Sequence, residues 1–129
     1  PRGRGVDALL SSRARRMRAG VLRHRVDIEE FGVTLDSEGA QVEGWDSILD
    51  SDEPLLPAEI VALSGREFVA AQAVQAGVTT RITIRWRDDV KPSMRVVHNG
   101  DLYNIRAVLP DPKLRVHLTL MCETGINNG

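Results

Sequence analysis

From Val78 to Cys122, apolar side chains recur at every second residue through four successive stretches. Ile82, Ile84 and Trp86 alternate with Arg81, Thr83 and Arg85. Leu114, Val116, Leu118, Leu120 and Cys122 alternate with Arg115, His117, Thr119 and Met121. Period two is the repeat of a strand with one face on a core and one in water. Between Met94–His98 and Asp101–Leu109 stands Asn99-Gly100. That pair predicts a hairpin, because a type I′ turn needs positive φ at both central positions. In the second arm, Tyr103, Ile105, Ala107 and Leu109 are expected to share one face. Pro92 within 88–93 and Pro110-Asp111-Pro112 punctuate the run. A chain built this way is held to antiparallel sheet.

The first half is less regular. Leu22, His24, Val26 and Ile28 alternate with Arg23, Arg25, Asp27 and Glu29, which predicts a strand over Leu22–Phe31. Residues 32–41, rich in Gly and acids, read as a loop. A weaker strand is expected over Val42–Leu49, turn chemistry over 50–57, and a strand over Ala58–Leu63. Ser64-Gly65-Arg66-Glu67 is a capping box: the Ser64 hydroxyl accepts from the Glu67 amide, and the Glu67 carboxylate reaches back to the Ser64 amide. The alanine-rich stretch after it predicts one helix over about 65–76, ended by Gly77. The expected fold is all-β, a small antiparallel β-barrel or sandwich of six to seven strands with one short inserted helix. Residues 1–20 read as a basic arm, 21–123 as the barrel domain with an acidic loop over 32–57, and 124–129 as a tail. The full 129 residues suit one domain with a real core.

Charge is distributed in blocks. The net charge of −1 hides eight arginines against one acid in residues 1–25, and eleven acids with no Lys or Arg in 26–65. Opposed blocks suit a protein that meets charged or like partners on separate faces. The plainer reading is a solvated tail and a solvated loop. Met17 offers an internal start position, which would make residues 1–16 an extension.

Catalytic chemistry finds little footing. His24, His98 and His117 are scattered, and there is no HExxH or Cys-His cluster. Ser64-Gly65 lacks the first glycine of a nucleophile elbow, so Ser64 reads as a cap. One cysteine, Cys122, leaves no internal disulfide and no multi-cysteine metal site, and suits a reducing compartment. No apolar run is long enough for a membrane-spanning helix and no secretory leader is expected. A nucleic-acid-binding barrel is the alternative. Arg81, Arg85, Arg95, Arg106 and Arg115 fall on expected strands and could form a basic stripe, but the few aromatics do not fall on the arginine face as a stacking platform requires.

Several strings in this order carry a resemblance. They are Met17-Arg18-Ala19-Gly20-Val21-Leu22-Arg23-His24-Arg25-Val26, Ala58-Glu59-Ile60, Leu63-Ser64-Gly65-Arg66-Glu67 with Ala71-Gln72, Arg81-Ile82-Thr83-Ile84-Arg85-Trp86, Met94-Arg95-Val96, Tyr103-Asn104-Ile105 and Leu118-Thr119-Leu120-Met121-Cys122-Glu123. Residues 17–123 thus resemble the phage head–tail joining family, also called head closure, head completion or stopper proteins. The resemblance implies a small barrel with a long mobile loop and a short helix. It implies a structural virion protein without catalysis or cofactor, made in the host cytoplasm. Its expected place is a ring at the portal vertex, closing the DNA channel after packaging and joining head to tail. The partners implied are copies of itself, portal and adaptor proteins, and tail-completion or tail-tube proteins. Packaged DNA would pass through the ring without sequence-specific binding, and no membrane is involved. The 16-residue arm and the acidic stretch from Asp36 to Glu59 depart from the family's pattern.

Two sets of site residues follow as expectations. Arg23, Arg25, Ser64, Gly65, Arg66, Glu67, Gln72, Arg81 and Arg85 form a subunit or adaptor interface. Asp36, Glu38, Glu43, Asp46, Asp50, Asp52 and Glu53 form an acidic loop facing the channel.

Overall fold

The computed structural model describes residues 22–74, 76–111 and 114–124. The expected arm and all but the first residue of the expected tail lie outside them. Seven strands and one helix follow in order: β1 (His24–Leu35), β2 (Gln41–Ser47), β3 (Leu56–Ala62), α1 (Gly65–Val74), β4 (Val78–Arg85), β5 (Arg95–His98), β6 (Asp101–Pro110) and β7 (His117–Thr124). Every pairing is antiparallel. The strands run β1-β3-β4-β7-β6-β5, and β5 pairs back onto β1 with Asp27 opposite Val97. That last pairing closes a six-stranded barrel, which removes the open edges a flat sheet would expose.

The alternation read from the sequence fills the barrel. Val26 and Ile28 from β1, Ile82 and Ile84 from β4, Val96 from β5, Ile105 from β6 and Leu118, Leu120 and Cys122 from β7 are all buried. Val90 and Met94 close the cluster from the β4–β5 connection, and Trp86, Tyr103 and Val108 pack against it half-buried. Asn99 and Gly100 take φ of 51° and 87°, as the β5–β6 turn requires.

Four expectations need correction. The acidic segment is not one loop. β1 continues to Leu35 and pairs with β2, Phe31 opposite Trp45 and Leu35 opposite Gln41. The turn between them is held by Asp36, whose Oδ1 accepts the amides of Glu38 and Ala40, with Gly39 at φ 83°. This turn and the 48–55 excursion are the irregular parts of the segment. From Leu35 back to His24 the partners of β1 run from Gln41 to Ala58, so β2 and β3 follow one another on it, with the excursion between them.

The second correction concerns 114–116. The strand begins at His117, after Arg115 at φ 51°, and Leu114 and Val116 stay exposed. The two residues match the alternation, but the chain is still completing the turn, where the Leu114 amide reaches Asp111.

The third is a bulge in β6. Ile105 faces Cys122 and Ala107 faces Met121, so Arg106 is the extra residue and the inward face changes phase. Val108 packs on the core and Leu109 points out, the reverse of the expected pattern. Lastly, β3 starts at Leu56, with Pro57 opposite Arg25, where the missing amide is tolerated near a strand's start. The helix ends at Val74 and β7 includes Thr124.

Candidate functional site

Two surfaces carry features that the fold itself does not use. The first is the β1–β2 hairpin beyond the barrel. In antiparallel strands directly opposed residues share a face. One hairpin face therefore holds Phe31, Val33, Leu35, Trp45 and Glu43, and the other holds Glu30, Thr34, Val42 and Asp46. Phe31, Val33 and Leu35 are each about half exposed or more, at 49%, 53% and 67%. The stripe is anchored at its barrel end. Phe31 meets Trp45 edge to face at 5.5 Å, and the Arg95 guanidinium lies 4.1 Å over the Trp45 ring while bonding Glu29 at 2.8–2.9 Å. From Glu29 to Ser47 there are six acids and no base.

The second surface is the outer side of β4, β7 and β6 beneath α1. The capping box forms as expected, with Ser64 and Glu67 exchanging amide bonds at 3.2 Å. Glu67 also pairs with Arg81 of β4. These bonds hold the Glu67 carboxyl below its ordinary range, the Ser64 amide first among them. Gln72 ties the far end: its Nε2 donates to the Val78 carbonyl at 3.0 Å and its Oε1 accepts from the Gly77 amide at 3.2 Å. The helix is thus fastened by polar bonds, while its Phe68 and Val69 stay exposed. Between it and the sheet runs a groove of about 520 Å³, lined by Ala70, Ala71, Ala107, Leu109 and Met121, with Glu67 and Arg81 at its end.

The expected interface residues fall into two kinds. Ser64, Glu67, Gln72 and Arg81 are occupied in placing α1. Arg25, Arg66 and Arg85 are exposed, and have no acid partner among the described residues. Gly65 opens the helix, and Arg23 precedes β1 on the exposed side. The expected acidic set is split. Asp36 and Glu38 lie at the hairpin tip, Glu43 and Asp46 on opposite hairpin faces, and Asp50, Asp52 and Glu53 on the excursion. Glu53 is drawn back to the barrel by Arg87 at 2.7 Å. Sequence reading missed the apolar stripe because it took 32–41 as a loop. It missed the groove because the β6 bulge turns Leu109 outward.

The expected basic stripe does not form. Arg81, Arg95 and Arg106 pair with Glu67, Glu29 and Glu123, and Arg115 lies in a turn over Trp86. His24 and His98 come together, ring centroids 4.9 Å apart, but no group of three metal-ligating side chains occurs among the described residues. Cys122 is walled into the core, and burial pushes its thiol up to about 12, so it is no nucleophile.

The fold thus defines the class as a closed β-barrel that carries an apolar hairpin and a helix fastened by polar bonds. The comparisons agree on the class. Residues 17–125 match the family described as phage head completion protein, and the chain belongs to that family of structural virion proteins. It is 31% identical over 114 residues to head completion protein gp7 of Enterobacteria phage HK97, covering 84% of this chain and 97% of that protein. Its fold is similar to the solution structure of protein SF1141 from Shigella flexneri 2a, with a TM-score of 0.66 and 28% identity over 84% of this chain and 97% of that one.

Proposed function

We propose that the chain forms a ring at the portal vertex, where it closes the DNA channel after packaging and gives the tail its seat. The observation that carries this reading is the separation of unlike surfaces on one small subunit. An acidic hairpin extends beyond the barrel, while the exposed Arg23, Arg25, Arg66 and Arg85 stand on other parts of the chain. Unlike faces favour head-to-tail contacts, which close into rings when the rotation allows. Arg23, Arg25, Arg66 and Arg85 supply the basic contacts to a neighbour or to the adaptor, and Ser64, Gly65, Glu67, Gln72 and Arg81 fix the helix that presents Arg66. Portal, adaptor and tail proteins are the further partners, and the site of action is the virion connector.

In this ring Asp36, Glu38, Asp46, Asp50 and Asp52 face the channel, where their charge repels the phosphate backbone and lets DNA slide. Glu43 lies on the other hairpin face and Glu53 is bound to Arg87, so neither belongs to that lining set. The nucleic-acid-binding alternative is disfavoured by charge. Phe31 and Trp45, the aromatics best placed for stacking, sit on a hairpin with no base of its own. Replacing Asp36, Glu38, Asp46, Asp50 and Asp52 with Asn or Gln tests the channel assignment. Slower genome ejection supports it, and unchanged ejection kinetics count against it.

A further inference from the structure

The side of β1 that looks away from the core runs unbroken from the barrel into the hairpin. Arg25, Asp27 and Glu29 alternate with the buried Val26 and Ile28, and Phe31, Val33 and Leu35 continue the same side. The far half of that side is an uncovered apolar stripe on two strands alone, an arrangement that is marginal in water. Its charge is one-sided as well. Arg95 offsets Glu29, its partner at 2.8 Å, which leaves Glu30, Asp36, Glu38, Glu43 and Asp46 without a basic partner among the described residues. Residues 1–21 have the opposite composition: six arginines against Asp7, with Val6, Leu9 and Leu10 as an apolar group. Residues 1–16 lie outside the stretch that matches the family, so the family's common fold does not account for them.

We propose that the N-terminal arm of this chain lies back along β1 and covers the Phe31–Val33–Leu35 stripe with Leu9 and Leu10. Two observations select this occupant. The first is length. Leu10 and Leu9 stand 12 and 13 residues before Leu22, and Val33 and Leu35 stand 11 and 13 residues after it. Extended chain advances about 3.4 Å per residue, so a reversal at Gly20 brings the two leucines level with the stripe, about 40 Å from Leu22. The second is charge. The arm carries +5, six arginines less Asp7, and the hairpin is left at −5 by its five unpartnered acids. Glu43 shares the covered face, opposite Val33, and Arg13 is the arm's nearest base to Leu10 in sequence. A nucleic-acid backbone would satisfy the arginines but not the leucines, whereas the hairpin satisfies both. The arm thereby shields an apolar strip of the kind that joins proteins together, and keeps free copies apart.

Disulfide trapping and hydrogen exchange on the purified full chain test it. Leu10→Cys with Val33→Cys should form an intrachain disulfide under mild oxidation, and Cys122 is too buried to compete. Leu10→Cys with Val69→Cys, on the exposed side of α1, should not. Disulfide-linked dimers in place of the intrachain bond would give the arm to a second copy and overturn the proposal. Exchange reads the same contact without cysteines. Leu9→Ser with Leu10→Ser should speed exchange over 30–35 and 41–46 by about tenfold, while the amides of Ile82 and Leu120 stay protected. Arg13→Gln, Arg15→Gln and Arg16→Gln together should do the same. About 1 M salt should act like the arginine variant, since screening then cuts in within about 3 Å. Hairpin exchange unchanged in both variants would overturn the docking. So would an arginine variant that loses only its retention on DNA, which would assign the arm to phosphates. Neither measurement involves a ring, so failure here leaves the ring reading standing.

Discussion

Arg87 and Glu53 join two loops that are far apart in sequence: one guanidinium nitrogen bonds the Glu53 carboxylate at 2.7 Å, and two others hold Asp89 at 2.8 and 2.9 Å. Glu53 belongs to the excursion between β2 and β3, Asp89 to the connection after β4. One side chain thus pins the excursion to the barrel end. The Arg87 bond holds the Glu53 and Asp89 carboxyls below their ordinary values and the guanidinium above its own.

A pH dependence follows from this clamp. Both carboxyls have folded-state values below their unfolded ones, so their contribution is complete above the unfolded values, about 4 for such groups. It is lost as pH falls through the depressed folded values. Hydrogen exchange should show residues 48–55 opening as the solution is acidified below about pH 4, ahead of β4 and β7. Glu53→Gln should give the same opening at neutral pH. Unchanged protection of 48–55 in that variant would contradict the clamp.

The helix should detach before the barrel melts. Gln72→Ala leaves the Gly77 amide and Val78 carbonyl without their side-chain partner, at a cost of about 1 kcal/mol or more. Ser64→Ala removes the cap, at about 1 kcal/mol. Exchange should rise across 65–74 in both variants while the amides of Ile82 and Leu120 stay protected. Uniform loss of protection would mean that α1 is part of the core.

Two leucines six residues apart, Leu114 and Leu120, should behave differently. Leu114→Ser alters a side chain that is 72% exposed, and should change stability by less than about 0.5 kcal/mol. Leu120→Ala empties a fully buried site and should cost about 2–5 kcal/mol. Urea denaturation distinguishes them, and similar midpoints for the two would contradict the register of β7.

These positions mark what sequence could and could not convey. Strands β4 and β7 were legible because their inward residues alternate without interruption, and the β5–β6 turn because Asn99-Gly100 permits little else. The helix start was legible from four residues. Leu109 was assigned to the wrong face because a bulge has no period: one extra residue at Arg106 shifts everything after it. Leu114 and Val116 continued the strand pattern into a turn that Arg115 completes with positive φ. The hairpin was hidden for another reason. Its acids and glycines are poor strand formers, and pairing with β2 outweighs that preference. The candidate site suffered accordingly. The arginines and the capping box were visible one by one, whereas the groove and the apolar stripe exist only after the strands have paired.

The proposed role of this head completion protein, closing the channel and joining the tail, is open to a direct test. The most direct measurement adds the purified protein to packaged heads lacking it and scores nuclease-protected DNA and tail attachment. The account predicts that added protein retains the genome and restores tail joining. Heads that keep their DNA and accept tails without it would contradict the account.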